Sequence, residues 1–106
     1  MGLYDGFKGD DEGSTAHLAK MLDCPVILIQ DARSMSRSAG AIALGYKEFD
    51  KKIDIAGIVL NDIGSMNHYN YAKDAIEKKT KIPVLGYLPK DSGLKISERH
   101  LGLVPS

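Results

Sequence analysis

The chain has a single cysteine, Cys24, and this scarcity already limits what its 106 residues can be. One thiol excludes an intrachain disulfide and a cysteine-rich metal site, and makes a reducing cytoplasm the expected setting. Flanked by Leu22, Asp23 and Pro25, Cys24 has no neighbouring base, so it reads as a small packed residue near a strand start. Long apolar runs are missing too. The longest, residues 26–29 and 58–60, fall far short of a membrane span. The opening residues carry Asp5 where a secretory leader would have a basic flank and an apolar core. An excess of either charge is also absent. Fourteen Lys and Arg balance fourteen Asp and Glu, so no global field recruits nucleic acid or an anionic membrane. Any anion must be met by local groups. His17, His68 and His100 lack a compact metal-ligand spacing, and no serine occupies a G-x-S-x-G elbow. The absence of a G-x-x-x-x-G-K-[ST] phosphate loop matters most. Nucleotide chemistry here would need its phosphate cradle and lysine from elsewhere.

What is present is a regular change of hydrophobic period. Gly2, Gly6, Gly9 and Gly13, with acidic residues 10–12, make the opening a loop, and Ser14 or Thr15 can cap a helix over residues 16–22. Pro25 closes that segment. Residues 26–29 are continuously apolar, the pattern of a strand covered on both faces. Ala39, Ile42, Ala43, Tyr46 and Phe49 then recur at helical spacing, with Ser34 or Ser36 as the start and Asp50 at the end. Gly40 and Gly45 weaken this helix but permit close packing against a sheet. A second strand covers residues 55–60 and stops at Asn61-Asp62. Gly64-Ser65 opens a third helix carrying Tyr69, Ala72 and Ile76 on one face, and a third strand covers residues 84–88 between Pro83 and Pro89. The connections suit right-handed parallel crossovers. Asp31, Asn61-Asp62 and Lys90-Asp91 thereby fall after the carboxyl ends of the strands, the edge at which open α/β sheets bind ligands. Residues 92–106 read as an irregular tail.

Several of these loops carry chemistry. In Met1-Gly2-Leu3-Tyr4-Asp5-Gly6 the Asp5 carboxylate could hold Mg²⁺ directly or through water, or simply make an Asp-Gly turn. Gly13-Ser14-Thr15 offers backbone N–H groups and two hydroxyls at a helix start, either to an anion or to an ordinary cap. In Asp31-Ala32-Arg33-Ser34, Arg33 could meet a carboxylate or phosphate bidentately, as could Arg37, or pair locally with Asp31. Asn61 and Asp62 could read a base edge or satisfy a turn.

Taken together, the loops resemble one family. Residues 1–6, Gly13-Ser14-Thr15-Ala16-His17-Leu18-Ala19, the Asp31-Ala32-Arg33-Ser34-Met35-Ser36-Arg37-Ser38 stretch, Leu60-Asn61 and Pro83-Val84-Leu85-Gly86-Tyr87-Leu88-Pro89 are similar to cobyrinic acid a,c-diamide synthases. Glu98-Arg99-His100-Leu101-Gly102-Leu103 adds a further motif. The related nickel-sirohydrochlorin a,c-diamide synthases share these segments. The resemblance implies an α/β fold with a partial P-loop NTPase-like parallel sheet and flanking helices, its phosphate-binding loop absent. The family's loop precedes the stretch matching residue 1, as does its Glu-Gly pair, and the glutamine amidotransferase domain follows. Residues 1–106 therefore resemble the central to C-terminal part of the amidoligase domain.

The chemistry implied is activation of a tetrapyrrole carboxylate by ATP and Mg²⁺, followed by attack of glutamine-derived ammonia. On this sequence Asp5 looks like a magnesium or substrate-side acid and Gly6 shapes its loop. Ser14 and Thr15 look placed for an anion or tetrapyrrole carboxylate, while Asp31, Ser34 and Ser38 would line the central cleft. Asn61 is similar to the family's base contact, and Arg99 and His100 belong to its terminal motif. Asp62 departs from the basic residue common after the Asn61 position. The expected function is a component of an ATP-dependent, glutamine-using a,c-diamide synthase, inactive alone. The alternative is a nonenzymatic α/β binding or scaffold module derived from that domain. A three-stranded sheet leaves edges uncovered, so self-association or docking of a complementary synthetase segment is expected, with neither nucleic acid nor membrane as partner.

Overall fold

The computed structural model describes residues 2–90. Six elements alternate as the periods require: α1 (Thr15–Leu22), β1 (Val26–Asp31), α2 (Arg37–Phe49), β2 (Ile55–Ile63), α3 (Met66–Thr80) and β3 (Val84–Pro89), after a 3₁₀ turn over Phe7–Gly9. The strands form one parallel sheet in the order β1-β2-β3. The ends of α1 and α3 have local causes. Ser14 and Ser65 cap α1 and α3, their hydroxyl oxygens accepting from the N–H groups of His17 and His68. Asp23 and Lys81 end the same two helices in the left-handed conformation. No helix among the described residues is long and apolar enough to cross a membrane.

The core lies between the sheet and α2 and α3. Leu28, Ile58, Leu60 and Val84 are buried beneath Ala39 and Ala43 of α2 and Ala72 and Ile76 of α3. The small residues let the two helices approach each other closely. A Cβ on Gly40 would lie 3.1 Å from the backbone of Ala75, so Gly40 serves the helix pair rather than the sheet. Gly45 faces open space and needs no such explanation. At the sheet margin Leu3 is buried, the Ala16 N–H donates to Leu3 O, and Tyr4 stacks on Tyr46 and donates its hydroxyl to the Tyr46 carbonyl. Burial and the nearby Asp50 carboxylate push the Tyr4 phenol above its ordinary value. Lys20 then bridges Asp11 of the opening loop and Asp50 after α2.

The structure corrects three expectations. β1 is covered on one face only: Ile27 and Ile29 are 52% and 66% exposed, and Leu85 of β3 is 58% exposed. Its apolar run supplies side chains to both faces, but among the described residues α2 and α3 pack against each other over a single face. Cys24 is exposed rather than packed, because it falls in the short turn between α1 and β1. β2 continues past Asn61-Asp62 to Ile63, through an irregularity in its pairing with β3 where Asp62 has φ 61°.

Candidate functional site

Because helix and strand alternate and the strands are parallel, the chain enters α2 and α3 from the carboxyl edge of the sheet, and the short α1–β1 turn directs the amino end of α1 to the same side. Helix amino ends present unpaired N–H groups and partial positive charge. In α1 and α3 a serine hydroxyl takes up one of these groups, whereas Ser36 makes no side-chain cap on α2. Asp31, the last residue of β1, pairs in register with Asn61, and the Ala32 N–H donates to Asn61 O at 3.0 Å. These two sequence-predicted residues therefore lie side by side on the edge.

Beyond β1 the chain turns sharply. The Asp31 carboxylate accepts from the Arg33 N–H at 3.0 Å, so its recorded partner is a backbone amide rather than the Arg33 guanidinium. Ser34 has φ 57°, and the Met35 N–H donates to Ala32 O. His68, in the first turn of α3, reaches across to this loop: its Nε2 lies 2.9 Å from Ala32 O and 2.7 Å from Met35 O. Its Nδ1 accepts from the Gly64 N–H at 3.0 Å. Between the two loops is a concavity of about 380 Å³ whose walls include Arg33, Ser34, Asp62, His68 and Lys90. Asp62 is buried.

The remaining candidates occupy other places. Ser38 lies in the first turn of α2 and borders a groove between α2 and α3, with Tyr71, Asp74 and Lys78. Ser36 and Tyr71 border both this groove and the concavity at Ser34, so Ser34 and Ser38 line adjoining hollows. Asp31 is not among the residues lining the Ser34 concavity. Ser14 is buried and its hydroxyl oxygen accepts from the His17 N–H at 3.0 Å, whereas Thr15 beside it is exposed. Asp5 is exposed and accepts from the Gly2 N–H at 2.8 Å through one oxygen. At Gly6 a Cβ would meet the carbonyl oxygens of Glu12 and Asp10 at 2.4 and 2.8 Å, so the loop closes tightly only because no side chain is there. Arg99 and His100, with the tail expected over 92–106, lie outside the described residues.

His68 is the edge residue that sequence reasoning passed over, since it was weighed only as a metal ligand. A signal for it exists. Gly13-Ser14-Thr15-Ala16-His17 and Gly64-Ser65-Met66-Asn67-His68 share the pattern G-S-x-x-H, and each forms the same reciprocal cap. The serine accepts from the histidine N–H, and the histidine Nδ1 accepts from the glycine N–H. This is a variant of the capping box: histidine stands where glutamate or glutamine is usual, and it reaches the N–H of the residue before the cap rather than that of the cap itself.

Residues 7–97 match the family described as an AAA domain. The chain belongs to that family. As an AAA domain it has an open parallel sheet with flanking helices, in keeping with the partial P-loop-like fold expected from sequence. It is also similar to cobyrinate a,c-diamide synthases over nearly its full length. The relative from Methanosarcina acetivorans is 53% identical across 99% of this chain and 21% of its own. Those from Caldanaerobacter subterraneus subsp. tengcongensis and Dehalococcoides mccartyi are 50% and 53% identical, over 99% and 97% of this chain and 23% and 22% of theirs. This AAA domain therefore spans about a fifth of the length of the curated relatives it matches. No solved structure matches it at a significant level.

Proposed function

We propose that this chain is part of an ATP-dependent, glutamine-using a,c-diamide synthase that acts on cobyrinate or a related tetrapyrrole. The observation that carries this reading is the joining of Asp31 and Asn61 at the carboxyl edge of the sheet, in a sequence about half identical to cobyrinate a,c-diamide synthases. The edge supplies fixed N–H dipoles and an amide side chain. Those are groups suited to orienting a nucleotide and a substrate carboxylate. Asn61 is assigned to the base, Ser34 to the substrate carboxylate, and Thr15, whose hydroxyl is not used in the α1 cap, to an anion.

Magnesium is commonly held by one or two carboxylates together with substrate phosphates. Asp5 fits that mode: it is exposed, and only one of its oxygens is engaged by Gly2. Among the described residues no group of three or more His, Cys, Asp or Glu side chains could cage a metal, so phosphate oxygens would complete the shell. When bound, MgATP supplies the phosphoryl group that activates a carboxylate for amide formation. The chain's own residues position the partners.

The phosphate loop is assigned to a complementary segment seated against this sheet, and the ammonia-producing glutaminase to a further domain. Isothermal calorimetry with MgATP tests the reading, on the chain alone and after adding a polypeptide that carries the family's phosphate loop. Binding only in the mixture is the expected result. Tight binding by the chain alone would overturn the need for that loop, and absence of binding in both would favour a nonenzymatic module.

A further inference from the structure

We propose that His68 is a positioning residue that latches the loop after β1 to the turn after β2, and that it does so only as the neutral imidazole with its proton on Nε2. The inference concerns the same edge as the proposed synthase function and rests on that reading for its biological meaning. The Gly64 N–H points at Nδ1 from 3.0 Å. A backbone amide can only donate, so Nδ1 must present its lone pair and the ring proton must be on the other nitrogen. Nε2 then faces two carbonyl oxygens, Ala32 O at 2.9 Å and Met35 O at 2.7 Å, both acceptors. Every group around the ring selects one tautomer. Protonating Nδ1 would set two donors against each other and break the Gly64 bond.

The place of the latch gives it a consequence. Ala32 and Met35 bracket Ser34, a non-glycine residue with φ 57°. Such a conformation is costly and persists where its surroundings over-determine it. One imidazole holds the backbone on both sides of that residue, and the same loop carries Arg33 into the concavity shared with Asp62 and Lys90. Among the described residues these three are the charged groups that line this concavity with His68, from the β1–α2 loop, from β2 and from just after β3 respectively. His17 provides an internal control. It makes the same cap through Nδ1, but its Nε2 has no hydrogen bond among the described residues.

The two roles of His68 separate by substitution. His68→Asn keeps a short acceptor for Gly64 but cannot span to the loop, whereas His68→Gln keeps a longer donor for Ala32 and Met35. Amide hydrogen exchange is the readout, because the Ala32 and Met35 N–H groups are both bonded, to Asn61 O and Ala32 O. The expected result is exchange about tenfold faster at these two amides in His68→Asn, the scale of losing one or two net hydrogen bonds. Partial restoration is expected in His68→Gln, and no change in His17→Asn. Long-range ¹⁵N–¹H correlation spectra of the unsubstituted chain should show the Nε2-protonated ring. A proton on Nδ1, or unchanged exchange in a folded His68→Asn, would overturn the latch. The spectra of the unsubstituted chain decide the matter should that variant fail to fold. All measurements are made without nucleotide, so they stand or fall independently of the calorimetry.

Discussion

The two faces of the sheet are built from the same kinds of residue and have opposite fates. On one, Ile58 and Leu60 are wholly enclosed by α2 and α3; on the other, Ile27, Ile29 and Leu85 remain more than half exposed. Gly57 makes the contrast sharper. A Cβ there would lie 2.6 Å from Leu85 Cδ1 and 3.3 Å from Ile27 Cδ1, so the aliphatic side chains of the outer strands lean together over Gly57. The covered face supplies stability to the chain as it is. The open face has the composition of a surface that another element covers.

Substitutions should report that contrast, the largest effect first. Ile58→Ala removes a fully enclosed side chain and should lower unfolding stability by about 2–5 kcal/mol in a urea titration. A loss no greater than that at the open face would break the comparison. Replacing Ile27 and Ile29 together by Lys should leave the chain's own stability within about 0.5 kcal/mol per site. The same pair should weaken docking of the complementary segment, or self-association, in sedimentation experiments across concentration. A large drop in stability from that pair would mean that the face is already covered.

The smallest effect is expected at the margin of the covered face, where Lys20 joins Asp11 and Asp50. Hydrogen bonding to the Lys20 ammonium holds both carboxyls below their ordinary value of 3.8. Their contribution is therefore present above pH 3.8 and is lost as the pH falls through the lower folded values. Lys20 is itself raised above 10.5, chiefly by its bonds to Asp11 and then Asp50, so its contribution is complete below that pH and is lost only in more alkaline solution. Exposed ion pairs contribute little. Thermal unfolding of Lys20→Met against the unsubstituted chain should show a small deficit near neutral pH that closes on strong acidification. A deficit that persists in acid would assign the effect to packing of the lysine stem.

Much of this architecture was legible in the sequence because period and punctuation agree. The helical spacing of Ala39, Ala43 and Tyr46, the caps at Ser14 and Ser65, and the apolar strands each point to the same element. One-sided burial was not legible. A run such as Val26-Ile27-Leu28-Ile29 reports which side chains avoid water, not where the covering element is. The edge was legible as a set of strand-end loops, and Asp31 and Asn61 do meet there. That Ser34 and Ser38 line adjoining hollows was not, because it depends on where the chain leaves the loop for α2. His68 was hidden for a related reason. Its partners, Ala32 and Met35, are backbone carbonyls, and carbonyls have no letter in the sequence.

The spatial order of the strands also prescribes an order of assembly. Val26 pairs with Ile55 and Ile58 with Val84, so each new strand joins the edge left by its predecessor and none is inserted between two others. Each parallel pairing must wait for its crossover helix to be made, which makes such pairing slow, and domains are synthesised amino end first. A nascent chain leaving the ribosome can therefore complete the β1–α2–β2 unit before β3 exists, and β3 then closes the described sheet as its last outer strand.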